Sequence, residues 1–186
     1  VRLTTIFRQA EESLIVTNAH AINRGEMPRL DEKKKDFFFL PRQADAEIAA
    51  TVAQLYGTRL PRTYGELALS GMQVICPSRK GENGTEYRNV ILQATVNPPS
   101  PEKREHRFRE LAFREGDRVM QIRNNYDIMW KKQDGSAVGA GIFNGDIGTV
   151  TAIDPQMETL TVVFDDREAD YDFTQLNELE LAYAMT

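Results

Sequence analysis

The segment at 78–85 carries side chains that can hold a phosphate group. It reads Ser-Arg-Lys-Gly-Glu-Asn-Gly-Thr and stands between an apolar run and a helical pattern. In α/β domains such a loop lies at the carboxyl edge of the sheet, where ligands bind. The charge of Lys80, the hydroxyl groups of Ser78 and Thr85 and the backbone amides suit a phosphate of a nucleic-acid backbone. An ordinary polar loop has the same composition, and the sequence leaves both interpretations open.

A second group of candidate residues is consecutive in the chain: Arg123, Asn124, Asn125 and Tyr126. An arginine can neutralise a phosphate, and a base stacked on an aromatic ring gains about 1 to 3 kcal/mol. Arg123, Asn125 and Tyr126 are therefore candidate contacts to a single strand of nucleic acid. The alternative is that the rings of Tyr126 and of the nearby Trp130 pack against a sheet and the asparagines shape a turn. We favour the packing role for Trp130.

Acidic residues offer a metal interpretation that we reject. Asp165, Asp166 and Asp170 supply oxygen atoms of the kind that Mg²⁺ prefers, but they follow a strand pattern where a hairpin turn is expected. Asn144-Gly145-Asp146 is turn chemistry as well, because Asn and Gly tolerate a positive φ. With one cysteine and two histidines far apart in the chain, no metal site is predicted.

Periodicity divides the chain into an α/β layer and an all-β segment. Helical spacing occurs at 11–24, 44–57 and 89–96, and runs typical of strands occur at 2–9, 36–40 and 71–77. Alternating apolar residues between turn residues predict strands at 119–124, 148–154 and 159–164. We therefore predict an α/β fold with a parallel sheet, into which a small antiparallel barrel is inserted at 114–173. The charged stretch 98–113 is interpreted as a connector, and 178–184 as a strand that rejoins the first sheet.

Composition limits the classes of partner. The formal net charge of −5 excludes a grip on nucleic acid by the whole surface, so any such contact is expected to be local. The single cysteine, Cys76, excludes an intrachain disulfide and favours a reducing cytoplasm. No apolar run is long enough to cross a bilayer, so no membrane partner is predicted. The first residue is valine, from which we expect a piece of a longer protein.

Several motifs, spread in order along the chain, resemble one protein family. They are Leu3 to Gln9, Asn18 to Asn23, Gln73 to Pro77 with Lys80-Gly81, Arg114 to Asp127, Phe143 to Gly148, and Leu179 to Thr186. Together they resemble the second RecA-like (P-loop NTPase-type) motor domain of the RecD-like DNA helicases of superfamily 1B. The resemblance implies that 1–113 and 174–186 form part of that motor domain, with an SH3-like barrel at 114–173.

The same resemblance implies an ATP- and Mg²⁺-dependent motor that moves 5′ to 3′ along single-stranded DNA. Arg8 matches the arginine that reaches the γ-phosphate held by the N-terminal RecA-like domain, and Gln9 lies beside it. RecB- and RecC-like subunits are implied as further partners if the parent belongs to an exodeoxyribonuclease V complex. The 186 residues contain no Gly-x-x-x-x-Gly-Lys-Ser/Thr phosphate loop, so we expect this chain alone to bind no nucleotide and to be inactive.

A function of a different class also fits these patterns. Small barrels of this kind bind many kinds of partner, so the fold alone does not identify the ligand. The barrel is, in that alternative, a protein-interaction module, and the α/β part is its scaffold. Salt-dependent binding to an oligonucleotide distinguishes the two hypotheses.

Overall fold

The computed structural model describes residues 13–32, 36–65 and 71–186. The contacts divide the chain into two compact units, Val1–Gln43 and Ala44–Thr186. The predicted strand at 2–9, together with Arg8 and Gln9, lies outside the described residues. The helix predicted at 11–24 is confirmed in its described part by helix α1, Leu14–Asn23.

Local hydrogen bonds fix both ends of helix α1. The hydroxyl oxygen of Ser13 accepts the N–H of Val16 at 3.3 Å and so caps the first turn. Just beyond the last turn, Gly25 has a φ of +76°, which glycine adopts without steric cost. Inside the helix, Asn18 is buried and exchanges two hydrogen bonds with the backbone of Arg29, at 3.0 and 2.8 Å. The helix therefore holds the following loop.

The prediction of a buried strand at 36–40 is wrong. No strand of the described chain includes these residues, and the side chains of Phe38 and Phe39 are 64% and 51% exposed. A short, continuous apolar run has no period, so it does not distinguish a buried strand from an extended segment without a sheet partner.

The second unit begins with helices. Helix α2 spans Asp45–Gln54, a π-helical turn at Leu55–Arg59 follows it, and helix α3 spans Leu60–Tyr64. The predicted helix therefore does not end at Gly57. A Cβ atom at Gly57 would lie 2.4 Å from Cγ2 of Thr95, so this glycine allows close contact with helix α4, Thr85–Val96. Helix α4 begins four residues before the predicted start at 89. None of the described helices is long and apolar enough to cross a membrane.

The described strands of the second unit form three sheets. Strands β1 (Val74–Ile75) and β11 (Ala184–Met185) pair in parallel. The prediction that 178–184 forms one strand of the first sheet is wrong for most of its length, because 179–181 pair with 119–121 of the large sheet and only Ala184 pairs with β1. Strands β2 (Glu105–Phe108) and β3 (Leu111–Arg114) form a hairpin, so the stretch 98–113 is not a plain connector. The large sheet has the order β10-β4-β7-β8-β9-β5-β6 and is antiparallel. Its remaining strands are β4 Arg118–Gln121, β5 Asn125–Lys132, β6 Val138–Ile142, β7 Ile147–Asp154, β8 Thr159–Phe164, β9 Arg167–Asp172 and β10 Leu179–Leu181.

The large sheet buries one face of each central strand. In β8, Leu160, Val162 and Phe164 are buried and alternate with less buried residues, as period-two patterning predicts. Gly148 permits the close approach of β7, because a Cβ atom there would lie 2.6 Å from Cγ1 of Val162. The strands predicted at 148–154 and 159–164 are confirmed. The strand predicted to end at Asn124 ends at Gln121, which leaves Arg123 in a loop.

Candidate nucleic-acid interface

The loop after β4 and the turn after β6 support each other at one rim of the large sheet. The side-chain oxygen of Asn124 accepts the backbone N–H of Asn144 at 2.9 Å. The N–H of Gly145, whose φ is +96°, donates to the carbonyl oxygen of Gln121 at 2.8 Å. These bonds confirm the predicted turn at 144–146 and hold it against the loop that carries Arg123. We call Arg123, Asn124, Asn125, Tyr126 and Phe143 the rim residues.

Two aromatic side chains stand exposed on this rim. Tyr126 is 67% exposed and Phe143 is 39% exposed. Their ring centroids lie 5.5 Å apart with an interplanar angle of 71°, an edge-to-face arrangement. The Phe143 ring lies over Gly141, where an added Cβ atom would be 3.0 Å from Cζ of the ring. Sequence reasoning found Tyr126 and missed Phe143, whose only signal is its position directly before the 144–146 turn.

The rim residues differ in how far the protein already uses their polar groups. The amide nitrogen of Asn125 donates to the Glu178 carboxylate at 2.9 and 3.2 Å, and its oxygen accepts the N–H of Asp127 at 3.0 Å. Arg123 is exposed, and no other side chain of the described residues holds its guanidinium group. The polar groups of Asn125, which were predicted to contact nucleic acid, therefore already bind protein groups, whereas the guanidinium group of Arg123 remains available to a ligand.

Glu178 connects the rim to the interior of the large sheet. Besides Asn125, it accepts a hydrogen bond from Nε2 of Gln121 at 2.9 Å. The oxygen of Gln121 in turn accepts the hydroxyl of Tyr171 at 2.9 Å. Both Gln121 and Tyr171 are fully buried, and burial raises the pKa of Tyr171. The hydroxyl stays protonated and donates, so each polar group in this chain of bonds has a partner.

Trp130 packs against the sheet, as the preferred interpretation predicted. Its ring covers Gly139, where an added Cβ atom would lie 2.4 Å from Cζ2 of the indole. The guanidinium carbon of Arg167 lies 5.8 Å from the ring centroid. Trp130 is therefore a structural residue.

The second predicted contact region is the loop at 78–84, and it uses most of its polar groups internally. The N–H of Thr85 donates to the carbonyl of Ser78 at 3.1 Å, and the N–H of Glu86 donates to that of Arg79 at 3.2 Å. The hydroxyl of Ser78 donates to the carbonyl of Lys80 at 2.9 Å. Thr85 is itself only 9% exposed. Two of the amides expected to bind phosphate at this helix N-terminus are thus already paired.

Cations near this loop also differ in availability. Arg79 forms ion pairs with Glu180 and, at 3.4 Å, with Glu86. Arg88 is 2% exposed and donates to the side chain of Asn83. Lys80 is exposed, and within the described ranges no other group binds its ammonium. Lys80 is therefore the residue of this loop that retains a free charge.

A buried carboxylate lies at the opposite end of β4 from the rim. Asp117 is fully buried and accepts four hydrogen bonds, two on each oxygen. Nε2 of Gln93 (2.6 Å) and the N–H of Arg114 (2.7 Å) donate to Oδ2. Nδ2 of Asn97 (2.7 Å) and the hydroxyl of Tyr183 (2.9 Å) donate to Oδ1. We call these five residues the junction cluster. They join helix α4, the start of strand β4 and the returning chain, which is the segment from β10 to β11 that contains Tyr183.

Burial dominates the electrostatics of the junction cluster. It raises the pKa of Asp117, while the hydrogen bonds from Asn97, the Arg114 N–H, Tyr183 and Gln93 act in the opposite direction. Burial and the adjacent Asp117 carboxylate also raise the pKa of Tyr183. The tyrosine therefore remains a donor. Sequence reasoning did not single out Asp117 and so missed this role.

Helix α4 extends the same pattern of bonds by one turn. Asn89 lies four residues before Gln93 and is buried. Its amide donates to the carbonyls of Leu181 (2.8 Å) and Ala184 (3.0 Å) and accepts the N–H of Ala184 at 2.7 Å. Asn89, Gln93 and Asn97 therefore form a polar stripe with a period of four that binds the returning chain and the large sheet.

A cleft of about 670 Å³ opens beside the junction cluster. Its lining includes Lys103, Arg118, Thr149 and Thr151 and none of the predicted contact residues. Lys103 donates to the side chain of Asn97, and Arg118 donates to the carbonyl of Met72 at 3.1 Å. Both cations are bound to protein groups, so the cleft does not add to the candidate interface.

The aspartates considered as metal ligands have structural roles. Asp165 has a φ of +54° in the β8–β9 turn, Asp166 pairs with Lys132 at 2.7 Å, and Asp170 accepts the hydroxyl of Thr161 at 2.6 Å. The turn interpretation of Asp165 and Asp166 is confirmed, whereas Asp170 lies within β9. The described part of the chain contains no group of three His, Cys, Asp or Glu residues that could hold a metal ion.

Comparison with known proteins places these features in a family context. Residues 89–164 match the family described as the ATP-dependent RecD-like DNA helicase SH3 domain. The chain is also similar to the ATP-dependent RecD2 DNA helicase of Deinococcus radiodurans, with 30% identity over 187 residues. That alignment covers 100% of this chain and 22% of the relative, so the chain spans about a fifth of the relative's length. The family match at 89–164 includes the rim residues and all of the junction cluster except Tyr183.

Proposed function

Because this chain belongs to the RecD-like DNA helicases, we propose that it is part of an ATP-dependent motor that moves 5′ to 3′ along single-stranded DNA. In this proposal, residues 1–113 and 174–186 are part of the second RecA-like domain, with its parallel sheet, and 114–173 is the inserted barrel, whose sheet is extended by β10 from the returning segment. The similarity to an ATP-dependent RecD2 DNA helicase over the whole chain supports it. The parent acts in the cytoplasm, alone or with RecB- and RecC-like subunits.

The observation that carries the DNA-binding part of the proposal is the pair of unoccupied groups on the rim. Arg123 supplies an exposed cation and Tyr126 an exposed ring, separated by two residues. Single-stranded nucleic acid is bound by this combination, because the cation neutralises a phosphate while the ring stacks on a base. Lys80 supplies a second cation, with Ser78 and Thr85 beside it.

Binding of the full-length helicase to a single-stranded oligonucleotide, measured over a range of salt concentrations, tests this assignment. Arg123→Ala should weaken binding and reduce the dependence of affinity on salt, since one fewer phosphate is neutralised. Lys132→Ala is the matched control, because it removes a cation already paired with Asp166 at 2.7 Å. Equal effects of the two substitutions would contradict the role of Arg123 and favour a protein-interaction module.

The ATPase part of the proposal assigns Arg8 as the arginine that the second motor domain contributes to the nucleotide, with Gln9 beside it. The N-terminal RecA-like domain of the same parent holds ATP and Mg²⁺. An arginine in this role stabilises charge on the transferring phosphoryl group and contributes about 10³- to 10⁵-fold to the rate. The present chain alone should bind no nucleotide and hydrolyse no ATP.

Single-turnover ATP hydrolysis by the full-length helicase tests Arg8. With single-stranded DNA present, Arg8→Ala should lower the rate by about two orders of magnitude or more while nucleotide binding is retained. Arg24→Ala is the control, because Arg24 is exposed and pairs with Glu26 at 2.9 Å. An unchanged rate in Arg8→Ala would remove the assignment.

A further inference from the structure

We propose that Tyr126 and Phe143 together form a stacking site for one unpaired nucleobase. This inference rests on the proposed function, because it specifies which part of the DNA strand the rim holds. It adds Phe143 to the interface and assigns to the two rings a ligand distinct from the phosphates that the cations hold.

The geometry of the two rings leaves faces open for a third ring. In an edge-to-face pair with centroids 5.5 Å apart and planes at 71°, the edge of one ring contacts a single face of the other, so the pair does not stack and further ring surface stays open. Tyr126 is 67% exposed and Phe143 39% exposed, so both present apolar surface to solvent. A planar base placed against either face makes the offset or edge contacts that aromatic rings prefer. Because every base has a π face, such a site binds without a sequence preference.

The site is fixed in place before any ligand arrives. Gly141, with a φ of +102°, lies under the Phe143 ring and leaves no room for a side chain. The bond from the N–H of Asn144 to Asn124 holds the adjacent turn against the loop that precedes Tyr126. The backbone that carries both rings is therefore fixed, and less freedom is lost on binding, so more of the stacking energy appears as affinity.

The charge beside the rings identifies the ligand as a nucleotide. Arg123 is exposed at the end of the same loop, and no described side chain occupies its guanidinium group. A base joined to a phosphate satisfies both the apolar faces and this cation, whereas an apolar peptide leaves the cation unused. Exposed aromatic rings next to a free arginine are the combination found in surfaces that bind single strands.

An abasic scan tests the proposal in the full-length helicase. A single abasic residue is placed at each position of an oligo-dT in turn, and the dissociation constant is measured for each oligonucleotide. With wild-type protein, one position should weaken binding by about 5-fold or more, which corresponds to roughly 1 kcal/mol of stacking. In Tyr126→Leu and in Phe143→Leu that position should become equivalent to its neighbours, while Phe143→Tyr should keep the wild-type profile.

The outcomes separate this proposal from the one on which it rests. Salt-dependent binding with an abasic profile unchanged in both leucine variants would overturn the stacking site and leave DNA binding intact. Absence of any salt-dependent binding by wild-type protein would overturn both. Loss of the wild-type profile in Phe143→Tyr would also count against stacking, because tyrosine retains the aromatic face. Leucine preserves apolar volume, and the oligonucleotide without abasic residues reports whether each variant still folds and binds.

Discussion

The two ends of strand β4 have opposite properties, although they belong to one continuous stretch of sequence. Before the strand, Asp117 is fully buried and accepts four hydrogen bonds. After the strand, Arg123 and Tyr126 are exposed, and the polar groups of Arg123 meet no described side chain. The first end holds segments of the protein together, and the second is available to a ligand. Polar residues in one motif therefore serve two different purposes.

Partners distant in the chain create this difference. The side chains that bind Asp117 come from Gln93 in helix α4, from Asn97 directly after it and from Tyr183. Beside Arg123, the distant partners bind Asn124 and Asn125 instead, and they leave the arginine side chain unoccupied by any described residue. Substitutions at the two ends should accordingly separate stability from DNA binding.

The largest expected effect is that of Asp117→Ala. Removal of the carboxylate deprives four N–H and O–H groups of an acceptor, although the amide nitrogens of Gln93 and Asn97 each keep a second bond to a backbone carbonyl. Each buried unsatisfied group costs about 1 to 3 kcal/mol unless it relaxes or meets water. The free energy of unfolding should fall by about 3 kcal/mol or more. Urea denaturation followed by circular dichroism measures it. A loss below about 1 kcal/mol would show that the junction cluster does not hold the segments together.

Two further variants sharpen this measurement. Asp117→Asn has nearly the same size, yet its amide NH₂ would face two donors in either orientation, so a large part of the loss should persist. Asp127→Ala removes an exposed aspartate from the same motif, and its effect should stay within about 0.5 kcal/mol. If Asp117→Asn were as stable as the wild type, the charge and acceptor count of Asp117 would be unimportant.

A smaller effect is expected for Tyr183→Phe. This change removes one of the four donors to Asp117 and keeps the ring that contacts Tyr56 edge to face at 6.4 Å. The free energy of unfolding should fall by about 1 kcal/mol, the usual net value of one hydrogen bond, or somewhat more because the acceptor is charged. A double-mutant cycle with Asp117→Ala measures the coupling. Additive effects would contradict a direct interaction between the two side chains.

Asn125→Ala probes the boundary between the two ends. The substitution removes the bonds to Glu178 at 2.9 and 3.2 Å, which should cost about 1 kcal/mol in stability. The salt dependence of DNA binding should not change, because Asn125 carries no charge. A reduced salt slope with unchanged stability would contradict this expectation. It would indicate that Asn125 contacts DNA and that its loss disturbs neighbouring phosphate contacts.

The smallest effect on stability is expected for Arg123→Ala. No described group depends on its guanidinium, so the free energy of unfolding should stay within about 0.5 kcal/mol of the wild-type value. The slope of log K against log salt for single-stranded DNA should decrease in magnitude by about 0.7, the value for one phosphate contact. A stability loss comparable to that of Asp117→Ala would eliminate the contrast between the two ends of β4.

Local patterns predicted the features that depend on neighbours in sequence. Alternation placed strands at 148–154 and 159–164, and Asn-Gly chemistry placed the turn at 144–146. The role of Asp117 depends on Gln93, Asn97 and Tyr183, which no local window includes, so the sequence did not predict it. The helix predicted at 44–57 ends too early, because Gly57 serves a close contact with Thr95 that is distant in the sequence and does not end the helix. The run at 36–40 failed for the related reason that hydrophobicity does not specify a sheet partner.

The position of Asn97 and Tyr183 on the same oxygen of Asp117 has a consequence for how the chain can change length. The two donors meet at Oδ1, at 2.7 and 2.9 Å. The segment between Asn97 and Tyr183, which contains the large sheet, therefore begins and ends at nearly the same point beside helix α4. The entropy cost of closing such an excursion grows only with the logarithm of its length. Insertions or deletions in the turns between those strands should therefore leave the helical part undisturbed, and the segment offers a natural place for grafting a different domain.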